Sequence, residues 1–542
     1  MRNSPNRSRT AGPPAISQEN IVSTVNSAIV VGGGLGGLSV AAGLAARGVQ
    51  VRLFEANDKL GGKLNLLEEQ GFVFDLGPSI FILPELYRRV FSAAGRRMED
   101  FVEFTQVEPQ WRSFFEDGVR VDLLGDKAAM LKELERVGCN ASDWEDFSSY
   151  SERLWHFAQK HYLESGAESV LEILKSSGLI SALRSIEAFS SMHEGVRRRI
   201  NEPHVAEMLE FFIKYVGSSS HDAPALMNLL AWSQLRDGLY YVPGGMYGYA
   251  RALARLLEDL GVEIHLNTRV KSIEKQGSKV TSVVTETGQS FVADAVVSNM
   301  EVVPTYEKLM NESPKRLRSY KKKFAPAASG LVMHLGVSRR YEQLAHHNFF
   351  FSENPEQFFH QVHRQHVLPD DPTIYLVYPT RSDPNRAPEG CSIVKVLPHV
   401  PPLSDEPLPR EAYMELRSRV LDKLERMGLE GLREHTVFEH TWTPHDIQEQ
   451  YSSYRGAIYG VLTHRKRNFA VKGPRKSPYY DNLWFVGGTV NPGGGTPMVL
   501  LCGQQVAEMM TGKQAPTNTT GDEPASSWSG STPPATTPPA PA

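Results

Sequence analysis

Apolar and polar positions first organise near the N-terminus into a strand, a turn and a helix. Ser27-Ala28-Ile29-Val30-Val31 is a short apolar run, and Leu35, Leu38, Ala42 and Ala45 then recur at three- and four-residue steps, the spacing of one helix face. Gly48 closes that helix and residues 49–54 read as a second strand, which predicts a βαβ start. From about Leu86 to Tyr215 the steps are mostly helical, as in 129–137 and 168–183. At Tyr240 the pattern changes: 251–260 reads as a helix, and 262–266, 280–286 and 295–298 as strands. A mixed region from about Ser329 to Thr441 contains the strand-like run 373–377. The strand 483–486 then leads through a glycine-rich turn into a helix over 498–510. The most apolar stretches, 329–337 and 482–490, are too short to span a bilayer and read as buried strands.

Composition narrows this picture. A length of 542 residues suits two or three domains, and 41% hydrophobic with 22% charged residues is ordinary for a soluble globular chain. The net charge of −4 argues against nucleic-acid binding through global charge. Cys139, Cys391 and Cys502 form no C-x-x-C unit, so neither a metal site nor a disulfide framework is indicated, and a reducing compartment is expected. Residues 1–26 lack the apolar segment of a secretory signal. Their arginines and serines suggest a transit peptide less well than Pro13-Pro14 suggests a disordered extension. Residues 513–542, mostly Pro, Thr, Ser, Ala and Gly, read as a disordered tail.

Three motifs carry chemistry. The first is G-x-G-x-x-G within Gly32-Gly33-Gly34-Leu35-Gly36-Gly37: Gly32 permits a tight turn, Gly34 a close approach of backbone to a pyrophosphate, and Gly37 close packing of helix on strand. The helix start then offers free N–H groups to the phosphate. Glu55, followed by Ala56, lies 21 residues after Gly34 at the end of the second strand, where an acid binds ribose hydroxyls and disfavours a 2′-phosphate. The second is Gly61-Gly62-Lys63, followed by a strand that ends in the sharp turn Asp75-Leu76-Gly77-Pro78-Ser79. This pair points to a flavin rather than to NAD alone. The third is the turn from Gly487-Gly488 to Gly493-Gly494-Gly495-Thr496-Pro497-Met498-Val499, rich enough in glycine for a flat ligand to touch backbone. Pro497 suits the first turn of a helix aimed at that ligand.

Together these motifs resemble the bacterial-type carotenoid (phytoene) desaturases. Further matches are Tyr215-Val216-Gly217-Ser218-Ser219, Ala223-Pro224-Ala225-Leu226, the run Tyr241 to Gly248 with Pro243-Gly244-Gly245-Met246, Asn267 to Val270, and Ala293 to Asn299. The resemblance covers about 27–512 and implies an α/β amine oxidase-like flavoprotein fold: a Rossmann-type FAD-binding domain with an inserted α+β substrate domain and a helical membrane-docking region. The expected segments are 27–85, 221–328 and 456–512 for FAD binding, 86–220 for the helical substrate and membrane region, and 329–455 for the substrate domain. It implies that Glu55 holds the adenosine ribose, that the Val270 backbone meets the adenine, and that the C-terminal turn covers the isoalloxazine. The commoner signature has His at Asn491 and a small apolar pair at Gly494-Gly495. Asn491 and the run Gly456 to Gly460 resemble the oxygenase-like and hydroxycarotenoid desaturase branches.

The activity implied is dehydrogenation of a C30 or C40 carotenoid precursor such as phytoene or diapophytoene, with oxygen or a quinone as electron acceptor. The enzyme would attach peripherally to the cytoplasmic side of a membrane. A related flavin oxidoreductase of a carotenoid or squalene derivative (terminal oxidation, hydroxycarotenoid 3,4-desaturation, saturation or dehydroxylation), a soluble amine oxidase, and a non-enzymatic escort of prenylated proteins are the alternatives. No catalytic acid or base is identified: Asp237 and Tyr240 read as loop residues and Tyr215 as core packing. The basic runs at 315–323, 197–199 and 465–467 read as solvated faces rather than headgroup contacts.

Overall fold

A computed structural model describes residues 25–178, 186–187 and 189–512. The expected N-terminal extension, apart from its last two residues, the C-terminal tail, and part of the helix expected over 168–183 lie outside the described residues.

The chain folds around two sheets that face a common cavity. The first is a five-stranded parallel sheet in the order Leu483–Phe485, Ala295–Ser298, Ser27–Val31, Gln50–Phe54, Glu263–His265. Its central strand Ser27–Val31 is buried over four of its five residues, which is why it reads as a continuous apolar run. The helices Leu35–Ala45, Tyr247–Asp259 and Thr496–Thr511 pack together on it. Sequence-distant segments therefore build one α/β core around the glycine turn. A three-stranded antiparallel sheet, Val270–Gln276, Lys279–Thr285 and Ser290–Phe291, flanks it.

The second is an eight-stranded mixed sheet. Its path runs Thr436–Trp442, Val332–Val337, Ser392–Val400, Ile374–Val377, His347–Phe350, Trp111–Phe114, Arg120–Leu123, with Ser329–Gly330 paired beside Ser392–Val400. Successive side chains on a strand point to opposite faces. Ile374, Leu376, Val394 and Val396 enter a core with Leu416, Val420 and Leu424 of the helix Arg410–Arg426, whereas Tyr375, Val377, Lys395 and Leu397 line the cavity. Both faces are covered, so no polar alternation is visible along these strands.

The region 86–220 is not wholly helical. Thr105–Val107, Trp111–Phe114 and Arg120–Leu123 are strands, and Trp111–Phe114 pairs in parallel with His347–Phe350, tying this region into the second sheet. Strands of three or four residues are too short to show a period. The helices Lys127–Arg136, Ala141–Ala158, Val170–Ser177 and Pro203–Phe211 account for the helical pattern. Among the described residues no helix is long and apolar enough to cross a membrane.

Candidate active site

A cavity of about 870 Å³ runs between the two sheets. At one end lies the first turn. Gly32 has a φ of +100°, a conformation that favours glycine, and carries the chain from strand to helix. A Cβ on Gly37 would lie 2.1 Å from the Gly32 carbonyl oxygen, and one on Gly34 would lie 2.7 Å from Asn299 Nδ2. Glu55, almost fully buried, organises the turn: Oε2 accepts from the Gly33 amide at 2.7 Å, and Oε1 accepts from the Asn57 amide at 2.9 Å and Asn57 Nδ2 at 2.8 Å.

Gly61 lies against this turn, donating its N–H to the Gly33 carbonyl at 2.8 Å. A Cβ on Gly62 would meet Gly34 Cα at 2.9 Å. Lys63 Nζ reaches Glu301 Oε1 at 3.3 Å and the Ala457 carbonyl at 3.2 Å, while Glu301 Oε2 accepts from the Tyr454 amide. The Asp75–Ser79 turn is held on two sides. Asp75 accepts from the Met246 amide at 2.9 Å and from Arg386 Nη1 at 2.6 Å, joining it to the Pro243–Met246 segment. Lys395 donates to the Gly77 carbonyl and to Ser79 Oγ, and burial pushes its amine down to about 8.

The C-terminal turn closes over the middle of the cavity. A Cβ on Gly494 would lie 2.5 Å from the Tyr459 carbonyl oxygen, so the run 456–460 packs directly on this turn. Gly495, at φ +104°, has nothing within 4 Å of where a Cβ would stand, and its bare backbone faces open cavity just before the helix Thr496–Thr511. The glycine-lined cradle, the ordered Glu55 and this open shelf at a helix N-terminus fit a dinucleotide bearing a flat ring system.

Of the residues singled out in the sequence, Gly32, Gly34, Leu35, Gly36, Glu55, Ala56, Gly61, Gly62, Lys63, Gly77, Pro78, Ser79, Val270, Gly487, Gly488, Gly495, Thr496, Pro497, Met498 and Val499 all line this cavity. Gly37 does not, because it packs against Gly32. Asp237 and Tyr240 are not among the lining residues, and Asp237 is paired with Arg236. Tyr215, expected as core packing, both packs on the core and lines the cavity. Asn491 turns away from it. Its Oδ1 accepts from Tyr162 Oη and from the Lys472 amide, both at 2.8 Å, so it anchors the C-terminal turn rather than facing a ligand.

Asn299, in the sequence only the end of a matched run, has its amide against Gly34 and Gly36, and Glu301, which the sequence did not single out, holds Lys63. Sequence reading also missed Lys214, Lys395 and Lys472, buried lysines on the cavity wall. Much of the remaining cavity lining is apolar, including Leu226, Leu230, Val332, Val377 and Leu397.

Part of the basic runs is paired. Arg197 meets Glu210, Arg199 meets Glu187, Arg316 meets Glu312, and Lys321 meets Glu307. His193, Glu210 and His221 place one ligand atom each within 4.8 Å of one another. Glu210 is already engaged by Arg197 at 2.7 Å, and none of the three lines the cavity.

The family model described as flavin containing amine oxidoreductase matches residues 35–511. Over 482 residues the chain is 50% identical to a 4,4'-diapolycopene oxygenase of Methylomonas sp, covering 89% of this chain and 97% of that protein. It is 46% identical over 481 residues to a 4,4'-diaponeurosporene oxygenase of Staphylococcus haemolyticus, covering 89% and 96%. Putrescine oxidase bound to putrescine superposes with a TM-score of 0.60 at 15% identity, covering 90% of this chain and 99% of that one, a likeness of fold.

Proposed function

The chain belongs to the flavin containing amine oxidoreductase family and is an FAD-dependent oxidoreductase; from that premise we propose that it oxidises the terminal carbon of a linear C30 polyene of the 4,4'-diapolycopene or 4,4'-diaponeurosporene type. The observation that carries this reading is the single cavity: its glycine-built end suits a dinucleotide, and its apolar end suits a hydrocarbon chain. The names of the relatives favour terminal oxidation over chain desaturation.

In this reading the turn Gly32–Gly37 and the helix behind it take the pyrophosphate. Glu55 takes the ribose and the Val270 backbone the adenine. Gly61-Gly62-Lys63, Gly77-Pro78-Ser79 and the turn through Gly487, Gly488 and Gly495–Val499 surround the isoalloxazine. Bound there, FAD supplies the two-electron oxidising chemistry that side chains lack. The protein orients the polyene end towards that turn and keeps water out through its apolar wall.

A hydrocarbon polyene is dissolved in a bilayer, so the cavity must open to one. Phe469 lines the cavity yet is 53% exposed, and Phe189 and Leu171, beside other lining residues, are 85% and 61% exposed. Lys466 and Arg467 are exposed in the same loop as Phe469. An apolar rim with adjacent cations supports peripheral docking on an anionic membrane surface. In this reading molecular oxygen is both the electron acceptor and the source of the atom gained, a terminal CH3 plus O2 giving CHO plus H2O.

The test is to supply the flavin-loaded protein with 4,4'-diapolycopene in liposomes and weigh the product. Gain of oxygen at a chain end is expected. Loss of hydrogen without oxygen, from a more saturated C30 precursor, would replace this reading with desaturation.

A further inference from the structure

The 3-10 turn Phe212–Val216, which continues the helix Pro203–Phe211, carries Lys214 into the interior, where it is 3% exposed on the cavity wall. Four aromatic rings surround its amine. Nζ lies 3.7 Å from the ring centroid of Tyr375, 4.5 Å from Trp111, 4.9 Å from Tyr215 and 5.4 Å from Phe349. Among the described residues no oxygen accepts a hydrogen bond from it and no carboxylate pairs with it.

The other buried lysines differ. Lys395 is held by the Gly77 carbonyl and Ser79, Lys472 by the Val461 carbonyl at 2.7 Å and Thr463 Oγ1 at 2.6 Å, and Lys423 by Asp371 at 2.6 Å. The polar atoms of the surrounding rings are also committed. Tyr215 Oη and Trp111 Nε1 both donate to Gln234 Oε1, and Tyr375 Oη meets His347 Nδ1 at 3.0 Å. A buried donor without an acceptor is costly, and burial drives this amine well below its ordinary range, towards the neutral form. The aromatic faces meet what positive charge remains.

A donor left open in an apolar cavity calls for a lipophilic ligand that brings its own oxygen. We propose that Lys214 is the hydrogen-bond donor that receives the oxygenated end of a polyene, an alcohol or aldehyde, so that the enzyme holds partly oxidised chains in preference to the hydrocarbon. The inference rests on the polyene-oxidation reading above and extends it: an end once oxidised is a better ligand for this cage than the methyl it replaces. Lys214 is a specificity residue in this account.

The test uses the FAD-loaded protein and two probes, linear C30 4,4'-diapolycopene and the same polyene ending in one aldehyde. Dissociation constants are read from quenching of protein fluorescence. Wild type is expected to favour the aldehyde about tenfold, the worth of one hydrogen bond in a dry site. In Lys214→Met, the preference falls to about one while FAD content is retained. Lys214→Arg, which keeps a donor, retains a preference. Independently of any variant, the carbonyl stretch of the bound aldehyde in wild type is expected below its frequency in hexane. An equal preference in wild type and Lys214→Met, or an unshifted carbonyl, overturns the assignment to Lys214 while leaving polyene binding intact. Failure of wild type to bind either probe overturns the polyene reading and this inference with it.

Discussion

Glu55, at the dinucleotide end of the cavity, has three N–H donors for one carboxylate, whereas the facing sheet buries histidines with little around them. His346 keeps one bond to Ser382 Oγ, His399 one to Tyr459 Oη, and His334 Nε2 and His347 Nε2 have no partner among the described residues. Burial pushes His346 and His399 down to about 3. The first end is rigid backbone shaped by missing side chains and recognises a charged, hydrogen-bonding ligand by position. The second buries neutral imidazoles in the sheet behind the cavity, and none of these histidines lines the cavity itself. The first region presents positions to a ligand, and the second avoids ionisation.

The comparison breaks most completely at the turn. Gly34→Val forces a side chain onto Asn299 and against Gly62 where backbone must meet ligand, so FAD retention is expected to be lost while far-ultraviolet circular dichroism shows the helical region still folded. Full flavin content in that variant would mean the phosphate site is misplaced.

Next in size is the buried seam between the two regions. Asp75→Ala leaves Arg386, itself 2% exposed, without its counter-charge, and a loss of about 3–5 kcal/mol in unfolding free energy is expected from denaturant titration. An unchanged midpoint would show that the pair carries no weight. Glu55→Gln keeps the shape and removes the charge behind the Gly33 bond. FAD affinity is expected to fall about tenfold to a hundredfold, read by flavin fluorescence titration. Equal affinity would detach Glu55 from the ribose.

The smallest effect sharpens the other region. The folded-state pKa values of His346 and His399 lie below the ordinary 6.5, so between about 3 and 6.5 the unfolded chain binds more protons. Their neutral burial is fully compatible with folding above pH 6.5, and stability is lost as pH falls through that window. One pH unit below 6.5 costs about 1.4 kcal/mol for each. Hydrogen exchange at pH 5.5 is expected to rise in the eight-stranded sheet before it rises in the parallel one; simultaneous loss would contradict the contrast.

The dinucleotide end was legible in the sequence because its demands are local. A glycine turn, an acid 21 residues on and a glycine-rich helix start each occupy fixed offsets on one segment. The proposed polyene end was not. The cage around Lys214 is assembled from residues 111, 349 and 375, which sheet pairing brings together, and from 215 on the turn that carries the lysine. Asn299 was visible as part of a motif, yet its contact with Gly34 depends on how Ala295–Ser298 pairs with Ser27–Val31. The strands between 105 and 123 were hidden inside a helical pattern because runs of three or four residues carry no period.

The central claim is that one cavity holds FAD and polyene together. Native mass spectrometry of the purified chain with FAD and a C30 polyene tests it most directly. The account predicts a ternary species with one FAD and one polyene per chain; polyene binding that displaces FAD would contradict it.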